Sequence, residues 1–351
     1  MFSVINLERD LWQYLKTATK HIVLYGMGNG ADKIIDILEQ NGIEFKGVFA
    51  SDGFVKDKIF HGLKLSSYAE LKQKFGDMIV LVCFGSSRPE VIENIKRISA
   101  EQELYAPEVP VFGGGLFTKE YYLSNKEKFD KIYNLLADEQ SKKTFSNIIK
   151  YKISGKIDYL FECEVTPDEP YQSFLKLSDN EDFLDLGAYN GDTVLDFVSR
   201  VKGYNSITAV EPDKKSFKKL LLNTENLQNI THKNICISSF SGKGSFGMFG
   251  GRNSSAEKGN TEAEFITIDD LLEEKSVSYI KMDIEGEEAN AIKAAEKTIK
   301  CYKPKMLISA YHRTEDLLTL PEAVLKHRAD YKIYIRHFSS VPAWDTNYYF
   351  I

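Results

Sequence analysis

The stretch Phe183-Leu184-Asp185-Leu186-Gly187-Ala188-Tyr189-Asn190-Gly191-Asp192-Thr193 constrains this chain more than any other. An apolar run of strand length enters a glycine turn that opens a helix. Such a junction lets backbone approach a ligand closely, while the helix N-terminus presents unpaired N–H groups. Glu211 stands 20 residues past Gly191, at the end of the next apolar run in Ala209-Val210-Glu211-Pro212-Asp213. A carboxylate there accepts both hydroxyls of a ribose. A dinucleotide site reads G-x-G-x-x-G, whereas this turn reads D-x-G-A-x-x-G-D. Asp185 and Asp192 repel a pyrophosphate and favour a sulfonium cation, which points to S-adenosylmethionine. Asp185, Gly187, Ala188, Gly191, Asp192 and Glu211 are the expected cofactor-binding residues. Tyr171, just ahead of the strand, is expected to cover the cofactor, with packing as the alternative. A glycine turn that only packs a helix on a strand is the plain alternative for the whole motif.

Strand-length apolar runs alternate with amphipathic helical segments in two separate stretches, the pattern of parallel sheets covered by helices. The first has runs at His21 to Tyr25, Glu44 to Phe49 and Ile79 to Phe84. The second has runs at Phe183 to Leu186, Ser206 to Val210, Asn234 to Ser238, Tyr279 to Met282, Lys305 to Ala310, Lys332 to His337 and Tyr348 to Ile351. Between the two, Asn125 to Tyr151 is charged, helical in pattern and free of Pro and Gly. The expected organisation is a Rossmann-like domain over 1–118, a helical connector over 119–165 and a second α/β domain over 166–351. A length of 351 residues suits two domains, and 43% hydrophobic with 27% charged residues suits an ordinary buried core. The formal charge of −6 argues against a general nucleic-acid binder. No run approaches the ~20 apolar residues of a membrane helix and no signal-peptide pattern opens the chain, so a cytoplasmic location is expected. Cys83, Cys163, Cys236 and Cys301 lie far apart without a CxxC, which suggests neither disulfides nor a thiolate zinc site.

A second constellation, Ile280-Lys281-Met282-Asp283-Ile284-Glu285-Gly286-Glu287-Glu288, again joins a strand end to a helix start. Glu287 and Glu288 read as partners of the helix dipole. Asp283 ends a buried strand and is expected to face the same crevice as Asp185 and Glu211. His312, just past Met306 to Ala310, is placed for a general base; hydrogen bonding to Glu315 or Asp316 is the plain alternative. His337 also ends a strand. Asp283, Glu285 and His312 are in addition a set able to hold magnesium. Ser241 to Asn260 is rich in Gly, Ser and Asn and reads as a hairpin or mobile loop. Its Arg252, Ser254 and Ser255 are expected to touch an acceptor, as are Glu285 and His337.

From about Tyr171 to Ile351 the chain resembles the FkbM family of S-adenosylmethionine-dependent methyltransferases. The resemblance rests on Asp185-Leu186-Gly187-Ala188 with Gly191-Asp192, Val210-Glu211-Pro212, and Thr267-Ile268-Asp269 before Leu271 and Leu272. It rests also on Lys281-Met282-Asp283-Ile284-Glu285-Gly286 with Glu288. Ser309-Ala310-Tyr311-His312-Arg313 with Glu315-Asp316-Leu317, and Tyr334-Ile335-Arg336-His337, look like one bacterial branch. The resemblance implies a class I methyltransferase sheet of seven strands with the last antiparallel, and O-methylation of a sugar, glycan or secondary-metabolite hydroxyl. His312 and Asp283 would be its catalytic residues. The alternatives are N-methylation of an amine on a glycan-linked acceptor, a non-catalytic nucleotide-sugar-binding protein with a relic fold, or an NAD oxidoreductase.

The amino-terminal stretch carries Tyr25-Gly26-Met27-Gly28-Asn29-Gly30-Ala31 after a strand, with Asp52 near the next strand end. Its third glycine comes one place early for G-x-G-x-x-G. The stretch looks like Rossmann-type domains attached to sugar-modifying enzymes, with Gly26, Gly28 and Asp52 as candidate ligand contacts. Gly113 to Gly115 reads as a flexible exit from this sheet.

Overall fold

The computed structural model describes residue 5 and residues 8–51, 58–246 and 261–351. Two sheets organise them. The amino-terminal sheet has six strands in the order Ile59–Phe60, Leu63–Ser66, Gly47–Phe49, His21–Tyr25, Met78–Val82, Glu103–Tyr105. All pairs are parallel except the Ile59–Phe60 hairpin. His21–Tyr25 and Met78–Val82 are apolar on both faces because helices cover both sides of a parallel sheet.

The carboxy-terminal sheet has seven strands in the order Ile333–His337, Thr346–Phe350, Lys305–Ser309, Tyr279–Met282, Asp182–Leu186, Ser206–Val210, Ile230–Lys233. Thr346–Phe350 runs antiparallel to both neighbours and every other pair is parallel. This is the expected sheet, with one correction. The sequence placed its third strand at Asn234 to Ser238, whereas the edge strand is Ile230–Lys233. Cys236–Ile237 belongs instead to a small sheet with Gly242–Phe246 and Thr261–Ile266. An edge strand buries one face only, and the half-buried Ile230-Thr231-His232-Lys233 lacks the apolar run used to find the others. The strands Gly242–Phe246 and Thr261–Ile266 pair antiparallel; Arg252, Ser254 and Ser255 between them, like Asp52, lie outside the described residues.

The segment expected as one long helix is two, Lys126–Leu135 and Glu139–Ser154. The break has a physical cause. Leu136 forms a bridge to Ile333, Ala137 N–H donates to the Ile333 carbonyl at 2.8 Å, and Asp138 then caps the second helix through Ser141 N–H. Phe129, Ile132, Phe145 and Ile148 from these helices share one apolar cluster with Val80 and Val82 of the first sheet and with Met282, Ile308 and Tyr348 of the second. The two sheets therefore rest on a common core. Two further ties join them: Ser86 exchanges backbone hydrogen bonds with Val341, and Gly85 packs directly under the Trp344 ring.

Arg336 is buried completely inside this assembly. Its guanidinium donates to Glu169 at 2.6 and 3.0 Å, to Asp138 at 2.7 and 3.2 Å, and to Ser141 Oγ at 2.8 Å. Burial pushes the Asp138 carboxyl up, but the hydrogen bonds from Arg336 and Ser141 outweigh it and hold the group below its ordinary value. One cation thus pins the connector and the helix Glu169–Ser173 to the outermost strand. Arg336→Met leaves two carboxylates unpaired, each about a third exposed. The expected loss is about 2–4 kcal/mol, less than for fully enclosed anions, read as a lower urea midpoint at unchanged slope.

Candidate active site

The carboxyl ends of Asp182–Leu186, Ser206–Val210, Tyr279–Met282 and Lys305–Ser309 form one edge, and the turns leaving them build the site. Gly187 is left-handed at φ +83°, and a Cβ there would overlap the Asp283 carbonyl oxygen. Only glycine allows the first and fourth strand ends to approach so closely. Gly187 and Ala188 N–H both donate to the Val210 carbonyl, at 3.0 and 2.9 Å. Gly191, at φ +89°, caps the helix Asp192–Arg200, and Asp192 is exposed in its first turn.

Asp185 is completely buried and does not reach the crevice. Its Oδ2 accepts from Thr193 Oγ1 at 2.5 Å, and its Oδ1 lies 3.5 Å from Lys281 Nζ. Lys281 is the register partner of Asp185 on the adjacent strand and also donates to the Gly187 carbonyl at 2.9 Å. Asp185 therefore shapes the turn through Lys281. Burial raises the Asp185 carboxyl above its ordinary value, with Lys281 opposing.

Glu211 is buried at the next strand end, where its two oxygens accept from Tyr189 N–H and Asp213 N–H, each at 2.8 Å. Each oxygen keeps a second lone pair for a hydroxyl donor. Burial pushes this carboxyl up to about 7, against the opposing pull of the two backbone N–H groups.

Asp283 follows its strand directly, with its N–H donating to the Leu186 carbonyl at 2.9 Å and its side chain half-buried at the mouth. Tyr311 OH donates to its two oxygens at 3.2 and 3.3 Å. His312 is buried, and three carboxylates surround its ring. Nε2 lies 3.4 Å from both Asp283 Oδ1 and Glu285 Oε2, and Nδ1 lies 2.9 Å from Glu288 Oε1. The Glu288 contact is out of line with the ring N–H and is a charge contact rather than an aligned hydrogen bond. Burial lowers the imidazole, but Glu288, Asp283 and Glu285 together raise it to about 9. A protonated ring has no lone pair for an incoming proton, which weighs against the general-base role its position suggested. Nor are Glu315 or Asp316 its hydrogen-bond partners. Asp316 caps its own turn by accepting from Arg313 N–H at 2.7 Å.

The structure bears on three further expectations. Tyr171 lies under the Arg200 guanidinium, 3.9 Å from the ring centre, and its hydroxyl reaches Asp196 at 3.4 Å. These partners sit one and two turns down the helix Asp192–Arg200, away from the glycine turn, which favours the packing alternative for Tyr171. His337 is buried, its Nδ1 is 3.0 Å from Thr346 Oγ1, and burial drives it down to about 4. So enclosed an imidazole is poorly placed to reach an acceptor. The magnesium set Asp283, Glu285 and His312 also changes, since the cluster that closes on itself within 4.8 Å is Asp283, Glu288 and His312.

The Gly113–Gly115 exit is more than a flexible link. Val111 and Phe112 N–H both donate to the His312 carbonyl, at 3.0 and 3.1 Å, and Thr314 Oγ1 donates to the Gly115 carbonyl at 2.5 Å. The amino-terminal half thereby lays a strap beside the site, with the Phe112 ring centre 6.0 Å from that of His312. Lys33 Nζ ties the strap to the first glycine motif through the Val111 carbonyl at 2.6 Å. In that motif the Phe84 ring packs directly on Gly26, and Gly30 sits against the Cys83 carbonyl, so its early third glycine serves helix-on-strand packing.

Residues 185–333 match the family model described as the methyltransferase FkbM domain. No curated protein matches the sequence. Among solved structures, the methyltransferase FkbM from Methylobacillus flagellatus KT is similar over 95% of this chain and 90% of that one, at 24% identity and a TM-score of 0.73. That likeness shows a common fold across both sheets. Fibrillarin from Aeropyrum pernix, in complex with natively bound S-adenosyl-L-methionine, is similar over 51% of this chain and 70% of that one, at 12% identity and a TM-score of 0.33, too distant to carry an argument.

The raised Glu211 carboxyl has a consequence for stability. The folded chain keeps this proton up to about pH 7, while the unfolded chain releases it near 4.5. Its contribution is therefore full below pH 4.5 and is lost as the pH rises towards 7, by about 3 kcal/mol at most. Denaturant midpoints of wild type and Glu211→Gln across pH 4.5–7.5 should show wild type losing ground to the variant. A constant difference between the two contradicts the assignment. Residues 185–333, within the carboxy-terminal half, are thus matched by the methyltransferase FkbM domain, on a fold shared with the Methylobacillus flagellatus protein.

Proposed function

We propose that the chain transfers a methyl group from S-adenosylmethionine to a hydroxyl oxygen of a sugar, glycan or secondary metabolite. The observation that supports this most directly is the meeting, at one sheet edge, of the Gly187–Gly191 turn, the buried Glu211 carboxylate and the half-buried Asp283. The residues fit the cofactor: Gly187 lets the Asp283 strand end close against the turn that must receive it, and Glu211 retains a lone pair on each oxygen for the ribose hydroxyls. When bound, S-adenosylmethionine supplies an electrophilic methyl carbon on a sulfonium.

Methyl transfer of this kind is an in-line displacement, and holding the partners aligned contributes ~7–11 kcal/mol. The carboxylates Asp283 and Glu285 flank the acceptor side, and the acceptor proton passes to this pair. Tyr311 fixes the Asp283 oxygens. His312 holds both carboxylates from behind as their shared cation. The same acidic lining favours an ammonium-bearing acceptor, which supports amine methylation as the second reading.

Calorimetric titration of the full chain with S-adenosylhomocysteine tests the assignment without an acceptor. One site per chain is expected, with affinity falling at least tenfold in Glu211→Ala. Absence of binding at millimolar ligand rejects the cofactor. Once an acceptor is found, Asp283→Asn is expected to lower kcat by about 10²–10⁴ with little change in cofactor affinity.

A further inference from the structure

Three carboxylates crowd one imidazole at the acceptor edge. Asp283 and Glu285 each bring an oxygen to 3.4 Å from His312 Nε2, and Glu288 brings one to 2.9 Å from Nδ1. His312 and Glu288 are both fully enclosed, and Glu288 Oε2 has no hydrogen-bond partner among the described residues. A buried carboxylate oxygen of this kind calls for a donor or a cation. His312 supplies at most one positive charge beside these three carboxylates, and Lys281 acts on Asp283 from its strand. Ligand atoms of Asp283, Glu288 and His312 all lie within 4.8 Å of one another.

We propose that Asp283, Glu288 and His312 bind one divalent transition-metal cation, of the Mn²⁺ or Zn²⁺ class, which holds the acceptor hydroxyl for methyl transfer. Donors bound to one such ion at ~2.0–2.2 Å stand roughly 3–4 Å apart, so the set closes on one ion when the His312 ring and the Glu288 carboxylate turn to share the Asp283 side. Two carboxylate oxygens with one imidazole nitrogen suit a borderline metal, whereas magnesium favours an all-oxygen shell. The ring then offers a lone pair in place of a proton. Ile284 N–H, 2.9 Å from Glu288 Oε1, orients one ligand from outside the set, as supporting hydrogen bonds do at metal centres.

Asp283 lies at the mouth, so the open positions of the ion face the crevice. A hydroxyl coordinated there becomes more acidic and gives its proton to Glu285, which stays outside the ligand set. The methyl carbon–sulfur bond breaks with its electron pair remaining on sulfur, and the carbon–oxygen bond forms. This role in orienting the acceptor rests on the methyl-transfer reading above. Metal binding by itself does not.

The test is calorimetric titration of the full chain with MnCl₂, and separately with ZnCl₂, in chelator-treated buffer. One ion per chain is expected, with Kd raised at least tenfold in Glu288→Gln and in Asp283→Asn. Asp283→Asn alters a half-exposed position, which keeps a folded variant available if Glu288→Gln melts early by circular dichroism. No binding of either metal up to millimolar concentration overturns the proposal, and so does binding that neither substitution weakens. A parallel titration with S-adenosylhomocysteine in metal-free buffer reads the cofactor pocket alone, so failure of the metal site and failure of the methyl-transfer reading are told apart.

Discussion

The close approach of two strand ends, Leu186 and Met282, governs the rest of the site. Gly187 lies against the Asp283 carbonyl where no side chain fits, and Lys281 bridges the gap to Asp185 and the Gly187 carbonyl. This crossing sets the direction in which the glycine turn leaves the sheet and hence the position of the helix Asp192–Arg200. It also fixes where Asp283 emerges. Burial of the Asp185–Lys281 pair makes the arrangement all-or-none, because either charge alone in that interior is costly. The crevice is thus defined by backbone contact and one internal ion pair, with its ligand-facing groups added at the rim.

The two sheets are more interdependent than a pair of linked domains. The connector helices fill the space between them, Leu136 and Ala137 pair with the outer strand of the second sheet, and Arg336 holds the starts of two helices, at Asp138 and Glu169, from within. The strap at Val111 and Phe112 then carries the amino-terminal half to the back of His312.

Much of this was legible in the sequence. The strands at His21–Tyr25, Ser206–Val210 and Tyr279–Met282 were marked to the residue because most of their residues are apolar and buried, even where Thr208 or Lys281 interrupts the run. Ile230–Lys233 escaped because an edge strand with polar alternation looks like a loop. The raised imidazole of His312 was hidden for a different reason. It depends on carboxylates 24 to 29 positions earlier in the chain, Glu288 back to Asp283, whose convergence only the fold reveals. Glu288 read as a helix-dipole partner because its first-turn position explained it sufficiently. The glycines at 113–115 read as a hinge, since nothing local shows that Thr314 and His312 hold their surroundings in place.

The central claim is that one sheet edge binds the methyl donor with its ribose on Glu211 and its reactive end towards Asp283. A crystal structure of the chain grown with S-adenosylhomocysteine tests it most directly. The account predicts ligand density between Gly187 and Glu211, with both ribose hydroxyls within hydrogen-bonding distance of the Glu211 carboxylate and the sulfur facing Asp283. Ligand density at Gly26–Gly30, or a cofactor edge that stays empty at saturating ligand, would contradict it.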